Sequence, residues 1–225
     1  MSGVAVRLEE VAKIYPGDVP ALRGVTVDVP SGDQVAILGP SGSGKTTMLT
    51  IMGTLERPTS GSVQVADRDV VKASDAELAG LRAHQIGFVF QAFHLQDGMT
   101  ALDNVALGML YTGAPLRQRR EAASVALERV GLAARMSHKP QQLSGGERQR
   151  LAIARAIAKR PLIILADEPT GNLDSKSGSE VVSVLHRMAA DGATLILVTH
   201  NEHIAHSFAR RIEMRDGEIV EDARS

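Results

Sequence analysis

Two kinds of hydrophobic pattern flank one helical stretch in this chain. Near the N-terminus apolar residues alternate with polar ones: Val4, Val6 and Leu8, then Val25, Val27 and Val29, then Val63 and Val65. A period of two, with each set bounded by Gly, Pro or Asp, predicts half-buried strands suited to antiparallel pairing, so the first third reads as β with turns. Four other segments are apolar almost without interruption: VAIL (35–38), IGFVF (86–90), LIILA (162–166) and LILV (195–198). Runs of that length predict strands buried on both faces of a parallel sheet.

Between residues 91 and 161 the period changes. Val125, Leu127 and Val130 predict a helix over 117–130 with Gly131 as its C-cap. A second helix, rich in Ala and Ile, is expected from Glu147 to about Lys159, stopped before Pro161. MLTIMG (48–53) reads as a further helix, and RRIEMRDGEIVED (210–222) as a hairpin around Asp216-Gly217. The expected fold is α/β: a parallel core sheet, an N-terminal antiparallel β part and an inserted α-helical subdomain. One domain is expected over 1–225, its core at 1–91 and 161–225 and the helical subdomain at 92–160.

Composition narrows the classes. A chain of 225 residues, 44% hydrophobic and 23% charged, suits a soluble globular domain. A net charge of −1, 3% aromatic residues and no Trp argue against a nucleic-acid partner. The absence of Cys excludes disulfides and thiolate metal sites. MSGVAVRLEE lacks the pattern of a secretory leader, and no apolar run approaches the length of a membrane span.

The chemistry follows the ends of the buried strands, which is where open α/β sheets place ligands. The first run leads into GPSGSGKT (39–46), which fits G-x-x-x-x-G-K-[ST] between a strand and a helix. Its glycines let backbone N–H groups turn inward on a polyphosphate, Lys45 reaches the β and γ phosphates, and Thr46 ligates Mg²⁺. LIILADEP ends in Asp167, suited to the Mg²⁺ shell, and Glu168, placed to orient and deprotonate a water. The fourth run ends in Thr199 and His200, and that position favours a γ-phosphate contact for His200 over a structural histidine. Gln91, after IGFVF, is placed to reach Mg²⁺ or the water; Tyr15, in YPGD, either stacks on a base or simply packs. A second glycine-rich turn, LSGGERQR (143–150), has two readings. Ser144 and Glu147 form a capping box, complete without a ligand. Alternatively, Ser144 and the N–H groups of Gly145 and Gly146 form a second anion site. Residue chemistry alone leaves these level.

Taken in order and spacing, GPSGSGKTT, Gln91, LSGGE, LIILADEP, GNLD (171–174) and His200 closely resemble the ATP-binding subunits of ABC transporters, over nearly the whole chain. RPTSG (57–61), FVFQAFHL (88–95), MTALDNV (99–105) and ADEPTGNLD (166–174) resemble the branch serving lipoprotein release, macrolide export and cell division. The resemblance implies a P-loop NTPase that hydrolyses ATP with Mg²⁺. Tyr15 would stack on adenine. Gly39, Ser41, Gly42, Ser43, Gly44, Lys45, Thr46 and Thr47 would form the phosphate and metal cradle. Gln91 would sense the γ-phosphate and Mg²⁺, Asp167 would support the metal, Glu168 would be the general base and His200 would touch the γ-phosphate. Ser144, Gly145 and Gly146 would bind the ATP held by a second copy of the chain, with Asp174 contacting across that interface. Residues from Gln91 to about Gly113 would help form a groove for an integral membrane permease subunit. The chain would then be cytoplasmic and peripheral on the inner face of the membrane. One departure, Gln96-Asp97-Gly98 in place of the apolar stretch usual in the branch, affects that groove and leaves the nucleotide site untouched. A soluble ABC ATPase acting on nucleic acid or the ribosome is the competing reading. The near-neutral charge and the lack of long insertions or basic arms count against it.

Overall fold

The computed structural model describes residues 3–224. The ends of the expected 1–225 unit, and the first two residues of the stretch read for a leader, lie outside the described residues. In chain order the elements are β1 (Val4–Tyr15), β2 (Val19–Pro30), β3 (Gln34–Leu38), α1 (Lys45–Met52), β4 (Ser60–Val65), β5 (Arg68–Asp69), α2 (Asp75–His84), β6 (Ile86–Phe90) and α3 (Ala101–Leu107). There follow α4 (Leu116–Arg129), α5 (Gly145–Ile157), β7 (Ile163–Asp167), α6 (Ser175–Ala190), β8 (Thr194–Val198), α7 (Glu202–Ala205), β9 (Arg210–Arg215) and β10 (Glu218–Arg224).

The period-two segments form an antiparallel sheet in the order β2-β1-β4-β5, and the continuous apolar runs form the parallel centre of a second, β10-β9-β3-β8-β7-β6. In that centre β3 pairs with β8 and β9, β8 with β7, and β7 with β6, all parallel. The predicted hairpin closes its edge as β9 and β10.

Both faces of the parallel strands are buried, as continuous apolar runs require. Val35 and Ile37 pack with Met48, Leu49, Ile51 and Met52 of α1 and with the antiparallel sheet. Ala36 faces the other layer, joined there by Ile164 and Ala166, against residues of α3, α4, α5 and α6. The sheet is thus clamped between two layers, so its C-terminal strand ends are fixed relative to one another.

Several boundaries differ from expectation. α5 begins at Gly145, two residues early, because Ser144 is its N-cap, and it ends at Ile157, short of Lys159. Val130 caps α4, and Gly131 follows it at φ 75, the left-handed conformation that releases the chain. Leu162 lies outside β7 and is 58% exposed. A helix not expected from the sequence, α2, stands between β5 and β6, opened by a complete capping box of Ser74 and Glu77.

Candidate functional site

The phosphate loop leaves β3 in the middle of the parallel sheet, and two glycines shape it. Gly39 has φ 151, and a Cβ there would lie 2.2 Å from the Met214 carbonyl oxygen; Gly44 has φ 95, and its Cβ would lie 2.4 Å from that of Ala21. Any larger residue would push the loop off β9 or β2. Gly44 is also the N-cap of α1 and offers no side chain to its first turn, which leaves those amides for an anion. Lys45 is buried and folded back: its Nζ donates to the carbonyls of Gly39 at 2.8 Å and Pro40 at 2.7 Å. Desolvation holds its pKa below the usual lysine value, partly opposed by Glu168 and Asp167. A polyphosphate would exchange two neutral carbonyl acceptors for anionic ones.

The acids converge on this loop. Thr46 Oγ1 donates to Asp167 Oδ1 at 3.3 Å, joining the start of α1 to the end of β7. Burial pushes the Asp167 carboxyl above its usual range, with Thr46 and Lys45 pulling the other way and Glu168 adding to the rise. A hydroxyl and a carboxylate, both hard oxygen donors, with the carboxylate lacking a full counter-charge, fit a small divalent cation such as Mg²⁺. Glu168 leaves the strand at φ 44, a left-handed conformation uncommon for a residue with a Cβ. Its N–H is held by the Val198 carbonyl at 3.0 Å. Both carboxylate oxygens are engaged from β8's end: Thr199 Oγ1 donates to Oε2 at 3.3 Å, and His200 Nδ1 lies 2.8 Å from Oε1. While Nδ1–H serves Glu168, a neutral His200 ring has no proton on Nε2 for a phosphate, so the γ-phosphate contact requires a turned or protonated imidazole.

Gln91 is not drawn to this cluster. Its Nε2 donates to Asn172 Oδ1 at 3.3 Å, and Asn172 Nδ2 donates back to the Gln91 carbonyl at 3.2 Å, tying the end of β6 to the turn after Glu168. Tyr15, at the end of β1, is half-buried and donates its hydroxyl to Glu56 Oε2 at 2.8 Å, with Thr47 Oγ1 at 3.4 Å. It therefore stands beside α1 and the phosphate loop.

Ser144 and Asp174 form a separate pair of helix starts. Ser144 Oγ accepts the Glu147 N–H at 3.2 Å while Glu147 Oε2 accepts the Ser144 N–H at 2.8 Å, a complete capping box. Those bonds and Arg135 hold Glu147 below the usual carboxylate range. Asp174 caps α6 by accepting from Ser177 N–H at 3.0 Å and its hydroxyl at 2.8 Å. A Cβ on Gly146 would stand 3.1 Å from the Ser177 side chain, so α5 and α6 start in close contact. None of the bonds made by Ser144 or Asp174 reaches residues 39–47.

Three groups at the site were given no role of their own by sequence reasoning. Thr199 holds Glu168, Asn172 holds Gln91, and Glu56 holds Tyr15. The first two sit inside motifs already quoted, one residue before His200 and inside GNLD; Glu56 carries no local signal.

The family model described as ABC transporter matches residues 22–171. An ABC transporter ATP-binding protein of Bacillus subtilis (strain 168), YvrO, is 46% identical over 96% of this chain and 96% of its own length. The macrolide export ATP-binding/permease protein MacB of Chromobacterium violaceum is 47% identical over 99% of this chain, which spans 35% of that longer protein. A dimeric post-hydrolysis state of the ATP-binding cassette MJ0796, bound to ADP and Pi, superposes with a TM-score of 0.87 at 40% identity, covering 97% of this chain and 98% of that one.

Proposed function

The chain belongs to the ABC transporter family as one of its ATP-binding domains, and we propose that it hydrolyses ATP between two copies of itself to drive a membrane permease. The observation that carries this is the meeting of Lys45, Thr46, Asp167, Glu168 and His200 at one end of the parallel sheet, with Thr46 and Asp167 3.3 Å apart and Glu168 and His200 2.8 Å apart. In this reading the backbone N–H groups of residues 41–44 and the Lys45 side chain hold the β and γ phosphates, aided by Gly39, Ser41, Ser43 and Thr47. Thr46 and Asp167, with Gln91 once released from Asn172, hold Mg²⁺, which when bound would neutralise phosphate charge as the terminal group departs. Glu168 takes a proton from water. His200, leaving Glu168, donates to the γ-phosphate, and Tyr15 stacks on the adenine.

Ser144, Gly145, Gly146 and Asp174 complete the site from a second copy. Their placement on separate helix starts, bonded to nothing in their own phosphate loop, supports that division of labour, as does the dimeric cassette MJ0796. We take residues 92–160, which contribute α3, α4 and α5, as the helical subdomain, and 1–91 with 161–225 as the nucleotide core. Among the described residues no helix is long and apolar enough to cross a membrane. A membrane permease partner, and a cytoplasmic place on the inner membrane face, follow from the transport reading. The export function in the name of MacB favours a transport role over a soluble role on nucleic acid or the ribosome.

Glu168→Gln tests the assignment. It should leave ATP binding intact and lower turnover about 10²–10⁴-fold, the range for losing a general base. Hydrolysis at the parent rate would remove Glu168 from that role.

A further inference from the structure

The segment between α1 and β4 folds back along the end of β1. Thr59 N–H donates to the Ala12 carbonyl at 2.8 Å, and Ile14 N–H donates to Thr59 Oγ1 at 3.0 Å. Lys13 Nζ donates to the Arg57 carbonyl at 2.9 Å. This clamp brings Glu56 to the far end of the Tyr15 ring, where one carboxylate oxygen, Oε2, accepts the phenol O–H at 2.8 Å and pairs with Lys13 Nζ at 3.2 Å. Lys13 Nζ also stands 5.2 Å from the centroid of the Tyr15 ring, within cation–π reach.

A tyrosine on the last residue of a strand has two torsions free unless something holds its tip. Here an ionic acceptor holds the hydroxyl, and charge-assisted bonds are the shorter and stronger kind. The ammonium sits over one face of the ring, so a planar partner would stack on the other. Tyr15 OH also lies 3.4 Å from Thr47 Oγ1 on α1, so the ring is referenced to the phosphate loop.

We infer that Glu56 is a positioning residue for nucleotide binding: with Lys13 it fixes the plane and the free face of Tyr15, and so sets recognition of the base rather than of the phosphates. The inference rests on the proposed stacking role of Tyr15. Stacking a base on an aromatic ring is worth about 1–3 kcal/mol, so Tyr15→Ala should weaken ATP binding by roughly 5–150-fold. Glu56→Ala keeps the ring and removes only its orientation; the loss of one ordering hydrogen bond corresponds to about 5-fold. Tyr15→Phe, which lacks the hydroxyl that Glu56 holds, should match it, and the Glu56→Ala/Tyr15→Phe pair should be no worse than either alone.

The test is calorimetric titration of the purified chain and these variants with ATP and, separately, with inorganic tripolyphosphate. The expected result is a raised Kd for ATP in Glu56→Ala and Tyr15→Phe with the Kd for tripolyphosphate unchanged. A Tyr15→Ala chain that binds ATP normally would overturn the stacking reading and this inference with it. A weakened Tyr15→Ala alongside an unaffected Glu56→Ala would overturn the inference alone. Equal loss of ATP and tripolyphosphate binding in Glu56→Ala would also overturn it, by making Glu56 a general support of the fold.

Discussion

Asp167 shows what the site costs the resting molecule. Its carboxyl is partly buried at the end of β7 and its pKa is raised above the usual aspartate value, chiefly by desolvation. Such a group binds its proton more tightly folded than unfolded, so the unfolded state binds fewer protons in that window and stability falls as pH rises through it. Above both pKa values the folded chain carries the full penalty; below the unfolded value the penalty is gone. Asp167→Asn should therefore raise Tm at pH 7 in the absence of nucleotide and metal, by a few degrees. The gain should shrink as pH falls toward 4, and calorimetric scans across that range check both points. The same substitution should depress Mg²⁺-dependent hydrolysis, because the carboxylate charge that costs stability is the one proposed to hold the cation. Lys45 shows the complementary arrangement: its ammonium is satisfied by its own loop carbonyls until a stronger acceptor arrives.

The helix carrying LSGGE is tied to the segment that follows Gln91. Arg155 of α5 donates to the carbonyls of Phe93 at 2.8 Å and His94 at 2.5 Å, Gln149 donates to the Phe90 carbonyl at 3.2 Å, and Arg148 lies over the Phe93 ring. Desolvation lowers the Arg155 pKa, as its burial demands. Arg155→Ala should cost about 1.5–3 kcal/mol, read as a lower urea midpoint at constant slope, because a charged donor to the half-buried Phe93 carbonyl and to the His94 carbonyl is lost. Arg155→Lys, with a point charge in place of a fork, should recover only part of it. How much of this was legible depended on sequence distance. The phosphate loop, Asp167 and Glu168 were readable because their chemistry lies in contiguous residues at strand ends. The parallel strands were readable because both faces need apolar residues. α2 had the Ser74–Glu77 signature that was read at Ser144 and Glu147, but it lay between strands and was passed over. In α6, SKSGSEVVSVLHRMAA, polar residues fill the first turns and mask the buried stripe of Val181, Val184, Leu185 and Met188. Arg155 and Glu56 had no signal at all, because their partners are 61 and 41 residues away.

For the molecule as a whole, the placement of its two glycine-rich turns bears most on function. One lies at the centre of the sheet with the acids. The other opens α5, packed against the start of α6, with Ser144 and Asp174 spent on their own helices. On the proposed reading the capping box and the anion site are successive states of the same residues: Ser144 would start a helix in the monomer and turn to phosphate when a second copy closes over ATP. The two roles differ sharply in what they predict for Ser144→Ala. Loss of a cap costs roughly 1 kcal/mol, whereas loss of a phosphate contact removes the closed dimer. Light scattering on the Glu168→Gln chain with ATP and Mg²⁺ reads this directly. The account predicts that its mass doubles on adding ATP, and that Ser144→Ala in the same background stays monomeric while remaining folded. A Ser144→Ala chain whose mass still doubles, or a Glu168→Gln chain that binds ATP and stays single, would contradict it.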